Sequence, residues 1–257
     1  MSNSFYTDLR RHQLDALAAL VEVDRIFKKY NIRYYLLAGS VLGAVRHNGF
    51  IPWDDDIDIG IMYKDKKRAF KALRNELPKT YEWADSVYKI NFPRLYGKVL
   101  LNNVGLIDVF IIVKTSDNRF SRKKQWIIRK VLFKIYKGKI NYSNSNENQN
   151  IYRKLKVKTG RFFSFFISTK KIRELIEKNE SRFENRDAKY YLNIYSAYSL
   201  EKELIKREWL RGNHNVLFEG HLFPTVSDTD KYLTHLYGDY MTIPKKKERY
   251  QRHEERF

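Results

Sequence analysis

One short acidic run constrains the fold of this chain more than any other feature. Residues 53–60 read Trp-Asp-Asp-Asp-Ile-Asp-Ile-Gly, so four carboxylates fall within five consecutive positions and lead into apolar sequence. Like charges at this density repel one another and resist burial unless cations neutralise them. The continuation alternates with the period of a half-buried strand. We therefore predict a strand on which Asp54, Asp56 and Asp58 share one face, while Asp55 points the other way.

Carboxylates in register on a rigid element favour a site for a hard divalent cation. The chain contains no cysteine, so thiolate ligands are excluded and oxygen ligands favour Mg²⁺ or Mn²⁺. A calcium-binding EF-hand beginning at Asp54 is excluded, because its glycine position holds Ile59 and its final glutamate position holds Asp65. The alternative is a solvated acidic loop, since acidic runs match metal motifs by chance. The strand-like continuation favours the metal site.

Two further features predict phosphate chemistry beside the acidic run. Gly39 and Ser40 follow a predicted strand over residues 32–38 and begin a short predicted helix, an arrangement that lets backbone N–H groups approach a phosphate. Asp108 is the single acid of the apolar predicted strand 106–113, where a carboxylate is costly unless it meets a cation. Brought alongside the acidic run, Asp108 would complete a two-cation site of the kind used in phosphoryl transfer.

The remaining pattern predicts an α/β fold with a small mixed sheet flanked by helices. Helices are predicted from Thr7 or Asp8 to about Tyr30, over 65–77, 122–137 and 169–183, and after Ser227 or Asp228. Further strands are predicted at 93–101, 190–195, 215–218 and 221–224. A composition that is 43% apolar can supply a core for these elements.

Positive charge is concentrated in the middle of the chain. The net charge is +20, and residues 119–173 hold 17 lysines and arginines against one acid, Glu147. This density predicts an anionic partner. Aromatic residues interleaved with the cations, such as Trp126 and the run over 162–166, favour an anionic membrane surface. Basic-aromatic stretches also suit RNA, but no RNA-binding motif is recognisable. A flexible loop is predicted over 141–150.

The sequence also carries expectations about location. No stretch approaches the roughly 20 apolar residues of a membrane-spanning helix, and the first residues lack the basic and apolar regions of a secretory signal. We predict a cytoplasmic protein, with peripheral binding at the inner face of the membrane as a hypothesis. A non-catalytic scaffold is a third functional class, but it would not explain four carboxylates packed so tightly.

Residues 37–58, from Leu37-Ala38-Gly39-Ser40 to Asp56-Ile57-Asp58, resemble the characteristic segment of the LicD family. Segments 106–110, 218–224 and 232–244 are similar to further parts of that family, whereas similarity is faint over about 115–200. The resemblance implies a nucleotidyltransferase fold, related to the fukutin group. It implies transfer of phosphocholine or another alcohol phosphate from a CDP-activated donor onto a glycan.

Carried over position by position, the resemblance gives the candidate residues their roles. Gly39 and Ser40 form the phosphate-binding turn. Asp108 is the third acid and the candidate general base for the acceptor hydroxyl. The metal ligands implied are Asp56 and Asp58, completed by Asp108, with Asp54 as a weaker ligand. The resemblance implies Mg²⁺ or Mn²⁺ as the bound metal, and the residue types favour the same two ions.

Arg46 is a candidate for binding the donor phosphate, because a planar guanidinium fork suits phosphate oxygens. A surface arginine near a helix end is the alternative. The overall prediction is a single catalytic domain over residues 1–257, with a basic helical insertion at 119–185 facing the acceptor or a membrane. The predicted partners are a CDP-alcohol, with CDP-choline favoured, and a cell-surface glycan or its lipid-linked precursor, as in teichoic acid, lipopolysaccharide or capsule. Nucleic acid is the disfavoured partner, and an RNA-directed nucleotidyltransferase or binding module is the alternative function.

Overall fold

The structure is a computed structural model that describes residues 3–86, 92–140 and 165–245, with side chains from Thr7 onward. The predicted loop over 141–150 and the aromatic residues Phe162 and Phe163 lie outside these ranges. The helices are α1 Asn3–Lys29, α2 Ala38–His47, α3 Lys66–Glu76, α4 Arg119–Lys139, α5 Thr169–Glu180 and α6 Thr229–Tyr237. The strands are β1 Tyr34–Leu36, β2 Ile57–Met62, β3 Glu82–Ala84, β4 Gly97–Leu101, β5 Val104–Thr115, β6 Tyr190–Asn193, β7 Leu204–Lys206, β8 His214–Phe218 and β9 His221–Thr225.

Strand β5 is the centre of a seven-stranded mixed sheet. It pairs in parallel with β2, and antiparallel with β4 and β6. Strands β1, β3 and β7 extend the sheet outward from β2, β4 and β6, respectively, and all three pairings are antiparallel. Strands β8 and β9 form a separate hairpin. The α/β prediction with a mixed sheet is confirmed.

The core forms where the apolar faces of the sheet and helices meet. Ile57, Ile59 and Ile61 of β2 are fully buried, as their alternation with polar residues predicts. Strand β5 is buried on both faces over most of its length, which explains its nearly continuous apolar sequence. On the buried side of α1, apolar residues recur at helical spacing; they are Ala16, Leu20, Val23 and Phe27.

The basic helix α4 begins three residues earlier than predicted, because Asn118 caps it. The Asn118 side chain accepts hydrogen bonds from the backbone N–H groups of Phe120 and Ser121. Helix α4 packs against α5 in the antiparallel sense, and the amides of Gln125 and Asn179 bond to each other's backbone carbonyls. Within the described ranges, no helix is both long enough and apolar enough to cross a bilayer.

Candidate active site

Three of the predicted site carboxylates meet at one edge of the β2–β5 strand pair. Asp58 of β2 is the register partner of Asp108 of β5. Asp56, just before β2, completes a group in which one carboxylate oxygen from each residue lies within 4.8 Å of the others. Asp108 is buried, whereas Asp56 and Asp58 are half-buried. The predicted meeting of Asp56, Asp58 and Asp108 is therefore what the structure shows.

The predicted strand geometry of the acidic run is wrong at its beginning. Strand β2 starts only at Ile57, and Asp54 lies in a turn in which its N–H bonds to the carbonyl of Ile51 at 2.9 Å. Pro52, with its fixed φ and missing N–H, favours this turn over an extended strand. As a consequence, Asp55 does not simply point away. Its carboxylate joins Asp54 and Asp56 in a second group of oxygens that lie within 4.8 Å of one another.

The electrostatics of the site are those of crowded, partly desolvated carboxylates. Burial, followed by the charges of the neighbouring Asp54 and Asp108, raises the pKa of Asp56 to about 7. Burial, followed by Asp56 and Asp108, raises the pKa of Asp58 well above its ordinary value. A bound cation would remove both causes, because it replaces lost hydration and screens the repulsion.

Lys98 supplies positive charge to this cluster from within the protein. It lies on β4 as the register partner of Asp108, with which it forms an ion pair. Its ammonium lowers the pKa of both Asp56 and Asp58, although burial and repulsion outweigh it. Tyr96, two residues earlier, hydrogen-bonds to Asp108, and burial raises the pKa of its phenol. Neither Lys98 nor Tyr96 was among the candidate site residues that the sequence indicated.

The cluster fits a hard divalent cation on its own chemistry. All candidate ligands are carboxylate oxygens, and two adjacent strands hold those of Asp58 and Asp108 in place. Asp56 belongs to both groups, so the five carboxylates of Asp54, Asp55, Asp56, Asp58 and Asp108 form one continuous acidic cluster. Oxygen-only ligands of this kind suit Mg²⁺ or Mn²⁺.

The turn at Gly39 and Ser40 lies against the acids. Gly39 is in the first turn of α2, and a Cβ on it would lie 2.8 Å from Oδ2 of Asp54. The hydroxyl of Ser40 is buried and accepts a hydrogen bond of 2.8 Å from the backbone N–H of Asp58. Ser40 therefore fixes the acidic strand to the helix N-terminus, a role that sequence reasoning did not assign. Ala38 opens the helix with a positive φ of 45°.

Arg46 lies at the other end of α2, in its last turn. Its Nη1 donates to the carbonyl oxygen of Tyr240 at 2.6 Å, and its Nε donates to Nε2 of His47 at 3.0 Å. This arrangement ties α2 to the segment after α6. Phosphate binding by Arg46 stays a prediction.

Helix α1 holds the acidic loop through backbone carbonyls, which sequence reasoning missed. Nε2 of Gln13 donates to the carbonyl oxygen of Asp54 at 2.8 Å. Nε2 of His12 lies 2.8 Å from the carbonyl oxygen of Asp55, which can only accept, so this nitrogen carries the proton. Both side chains are buried. The sequence feature that could have identified His12 and Gln13 is that two polar residues lie on the apolar, buried side of helix α1.

Helix α6 brings tyrosines to the same place. The hydroxyl of Tyr232 accepts a hydrogen bond of 3.1 Å from the N–H of Ala38, beside the Gly39–Ser40 turn. Tyr237 and Tyr198 meet through their hydroxyls at 3.5 Å. Burial raises the pKa of Tyr232 and of Tyr237, and the nearby carboxylate of Asp58 contributes. Tyr232 lies 174 residues after Asp58 and 124 after Asp108 in the sequence, so no local pattern predicts this contact.

Parts of the sequence match known proteins. Residues 31–141 match the domain family described as LicD/FKTN/FKRP, nucleotidyltransferase domain. Lipopolysaccharide cholinephosphotransferase LicD of Haemophilus influenzae is 25% identical over 253 residues, covering 92% of each chain. An uncharacterized protein of Rickettsia prowazekii, RP689, is 35% identical over 99 residues, or 38% of this chain and 33% of that protein. Human ribitol 5-phosphate transferase FKRP is 45% identical over 53 residues, 19% of this chain and 11% of FKRP.

Proposed function

Because this chain carries a LicD family nucleotidyltransferase domain over residues 31–141, we propose that it is a metal-dependent phosphotransferase. It moves phosphocholine, or a similar alcohol phosphate, from a CDP-activated donor to a hydroxyl of a cell-surface glycan or its lipid-linked precursor. The observation that carries the proposal is the register pairing of Asp58 with Asp108, with Asp56 beside them. Three carboxylates held on two strands suit phosphoryl transfer, in which positioning and charge compensation dominate catalysis.

The residues that would hold Mg²⁺ or Mn²⁺ are Asp56, Asp58 and Asp108, with Asp54 as a further ligand. When bound, the metal would supply positive charge to the phosphate oxygens during the displacement. Ser40 and Lys98 keep the two ligand strands in place, the first through the N–H of Asp58 and the second through the Asp108 carboxylate. The protein part of the site is thus preorganised by contacts that do not involve the donor.

The reaction assigned to this site balances as an in-line displacement. The acceptor hydroxyl oxygen forms a bond to the phosphorus nearer the alcohol, and the bond from that phosphorus to the CMP oxygen breaks. Asp108 takes the hydroxyl proton, and CMP leaves with the bonding electrons. The N-terminus of α2 at Gly39 is the positive end of the helix dipole, which suits the donor phosphates.

CDP-choline is the favoured donor. The relative that matches over 92% of both chains is named a lipopolysaccharide cholinephosphotransferase, whereas the ribitol 5-phosphate transferase matches over 53 residues. The same name favours a glycan acceptor of the lipopolysaccharide class. A lipid-linked acceptor would bring the enzyme to a membrane surface.

A donor screen tests the proposal. Purified protein is incubated with CDP-choline, CDP-ribitol or CDP-glycerol, with Mg²⁺ or with EDTA, and CMP release and the thermal midpoint are measured. We expect one CDP-alcohol to stabilise the protein and to release CMP in Mg²⁺ only. Release of diphosphate from nucleoside triphosphates, without CMP release from any CDP-alcohol, would instead support an RNA-directed nucleotidyltransferase.

A further inference from the structure

The outer face of helix α4 carries an exposed apolar stripe that no other described element covers. Phe120 is 81% exposed, and Ile127 and Val131 are each 49% exposed. Positions seven and eleven residues apart return to the same side of an α-helix within about 20°. The three side chains therefore form one line along the helix, here called the α4 stripe.

Lysines flank the α4 stripe on both sides. Lys124 lies about 40° to one side, and Lys134, Lys123 and Lys130 lie about 40° to 80° to the other, by the 100° advance per residue. All four are exposed. Residues 119–139 include nine lysines and arginines and no acid. An apolar centre with cationic margins and no acidic residue is the pattern of a helix that lies in the interface of an anionic membrane.

The inner face of α4 fixes this orientation. Gln125 is fully buried and accepts a hydrogen bond of 2.7 Å from the hydroxyl of Thr115 on β5. Near the other end, the hydroxyl of Tyr136 donates to the carbonyl oxygen of Phe92 at 2.8 Å. With both ends anchored, the helix cannot turn its stripe toward the core. Nor does the stripe look like a misplaced core face, since the core-facing residues of α4 are already buried.

Two further exposed aromatic residues lie at the C-terminal end of α4. Phe165 and Phe166 are both exposed and come just before α5. Because α5 runs antiparallel to α4, with Asn179 beside Gln125, the beginning of α5 lies near the end of α4. The C-terminal end of α4 is also connected to the active site. Tyr136 of α4 bonds to Phe92, which precedes β4, and Lys98 of β4 is the register partner of Asp108.

We propose that the α4 stripe and its flanking lysines dock the protein on an anionic lipid bilayer. Charge complementarity selects this partner, because a row of lysines without acids attracts anionic headgroups while Phe120, Ile127 and Val131 enter the acyl boundary. Docking does not require catalytic turnover. The docking inference can therefore be refuted while the transferase proposal stands, and the reverse is also true.

Co-sedimentation with lipid vesicles tests the docking surface. The protein is mixed with vesicles of phosphatidylcholine alone, or of phosphatidylcholine with phosphatidylglycerol, at low salt and at 0.5 M NaCl. We expect binding to the anionic vesicles at low salt, little binding to the neutral ones, and weakening at high salt because surface charges are screened. The double variant Lys123→Gln/Lys134→Gln should bind about 25-fold more weakly, as each lysine contributes about fivefold.

The apolar part is tested with Ile127→Ser/Val131→Ser, which should weaken vesicle binding by about tenfold or more. The matched controls are Lys71→Gln/Lys79→Gln, two exposed lysines outside α4, and Leu14→Ser, a leucine of α1 that is 48% exposed. Both controls should bind like the unmodified chain. All substitutions are at exposed positions, and the thermal midpoint of each variant confirms folding.

Three outcomes would overturn the inference. The first is no binding to anionic vesicles at low salt. The second is equal loss of binding in the control variants, which would mean that net charge alone acts. The third is a higher affinity for single-stranded RNA than for vesicles, or dimerisation that the α4 variants abolish, because either would give the stripe another occupant.

Discussion

Asp58 and Asp108 lie directly opposite each other on two parallel strands, separated in sequence by 50 residues but in register in the sheet. Parallel neighbours at the same level point to the same face, so the pairing places both carboxylates on one surface. The adjoining Asp56 makes the cluster too acidic to be stable without compensation. Lys98 provides part of the compensating positive charge, and a divalent cation would provide the remainder.

Replacing one site carboxylate by its amide should separate stability from activity. Asp58→Asn keeps the side-chain volume but removes a repelled, desolvated charge, so we expect the metal-free protein to gain about 1 kcal/mol of unfolding free energy. CMP release should fall by roughly a thousandfold, because a metal ligand is lost. Chemical denaturation and the donor assay measure the two effects. Asp187→Asn is the control and should change neither, because the ion pair of Asp187 with Arg207 is exposed and contributes little to stability.

Removing the Lys98 charge should make the fold depend on divalent cations. Lys98→Met leaves the buried Asp108 without its ion-pair partner, which should cost about 3 kcal/mol. Mg²⁺ should restore more stability to this variant than it adds to the unmodified chain. The thermal midpoints of both proteins, with Mg²⁺ and with EDTA, measure this. Equal Mg²⁺ shifts in the two proteins would refute the compensating role of Lys98.

Two glycines of α2 should respond differently to alanine. A Cβ on Gly39 meets the carboxylate of Asp54, which can move, so Gly39→Ala should lower activity at least tenfold with little loss of stability. A Cβ on Gly43 would overlap the backbone carbonyl oxygen of Gly49, which cannot move easily. Gly43→Ala should therefore destabilise the fold by about 2 kcal/mol or more. If Gly39→Ala retained full activity, the close approach of this turn to the acids would have no catalytic role.

The buried Glu203 should make stability depend on pH. Burial raises its pKa from 4.5 to about 8, although Ser196 and Arg129 act in the opposite direction. Between these values the folded protein keeps a proton that the unfolded chain has released. The contribution of neutral Glu203 is thus complete below about pH 4.5, and it is lost as pH rises through about 8.

Glu203→Gln removes this titration, so the variant should be more stable than the unmodified chain at pH 9, by roughly 3 kcal/mol, with little difference at pH 5. Urea denaturation at the two pH values measures the difference. Glu201→Gln, at a nearby exposed position, is the control. An equal effect of Glu203→Gln at both pH values would show that a packing change, not the titration, is responsible.

The parts of the fold with strong local patterns could be predicted from the sequence. The alternation after Ile57 predicted β2. The position of Asp108 as the single acid of an apolar strand predicted that it would lie alongside the acidic run. The prediction was wrong where local chemistry opposed the pattern. Pro52 turns the chain at Asp54, so Asp54 and Asp55 share a group with Asp56 instead of pointing to opposite faces.

Contacts between distant segments could not be predicted from local pattern. Arg10 of α1 forms a two-bond ion pair with Glu219, which lies 209 residues away at the tip of the β8–β9 hairpin. Glu219 in turn accepts from the N–H of Phe50, in the loop that leads to the acids. Such contacts depend on how α1 and the hairpin pack, and neither helical nor strand periodicity contains that information.

The most direct test of the central claim is ³¹P nuclear magnetic resonance of the reaction itself. The protein is incubated with CDP-choline, Mg²⁺ and a glycan acceptor, in parallel with Asp58→Asn. We predict that the diphosphate resonances are replaced by those of CMP and of a new phosphodiester on the glycan, and that the variant leaves the donor intact. A donor that persists with the unmodified protein across CDP-alcohols, or equal turnover by Asp58→Asn, would contradict the assignment of Asp56, Asp58 and Asp108 as the catalytic centre.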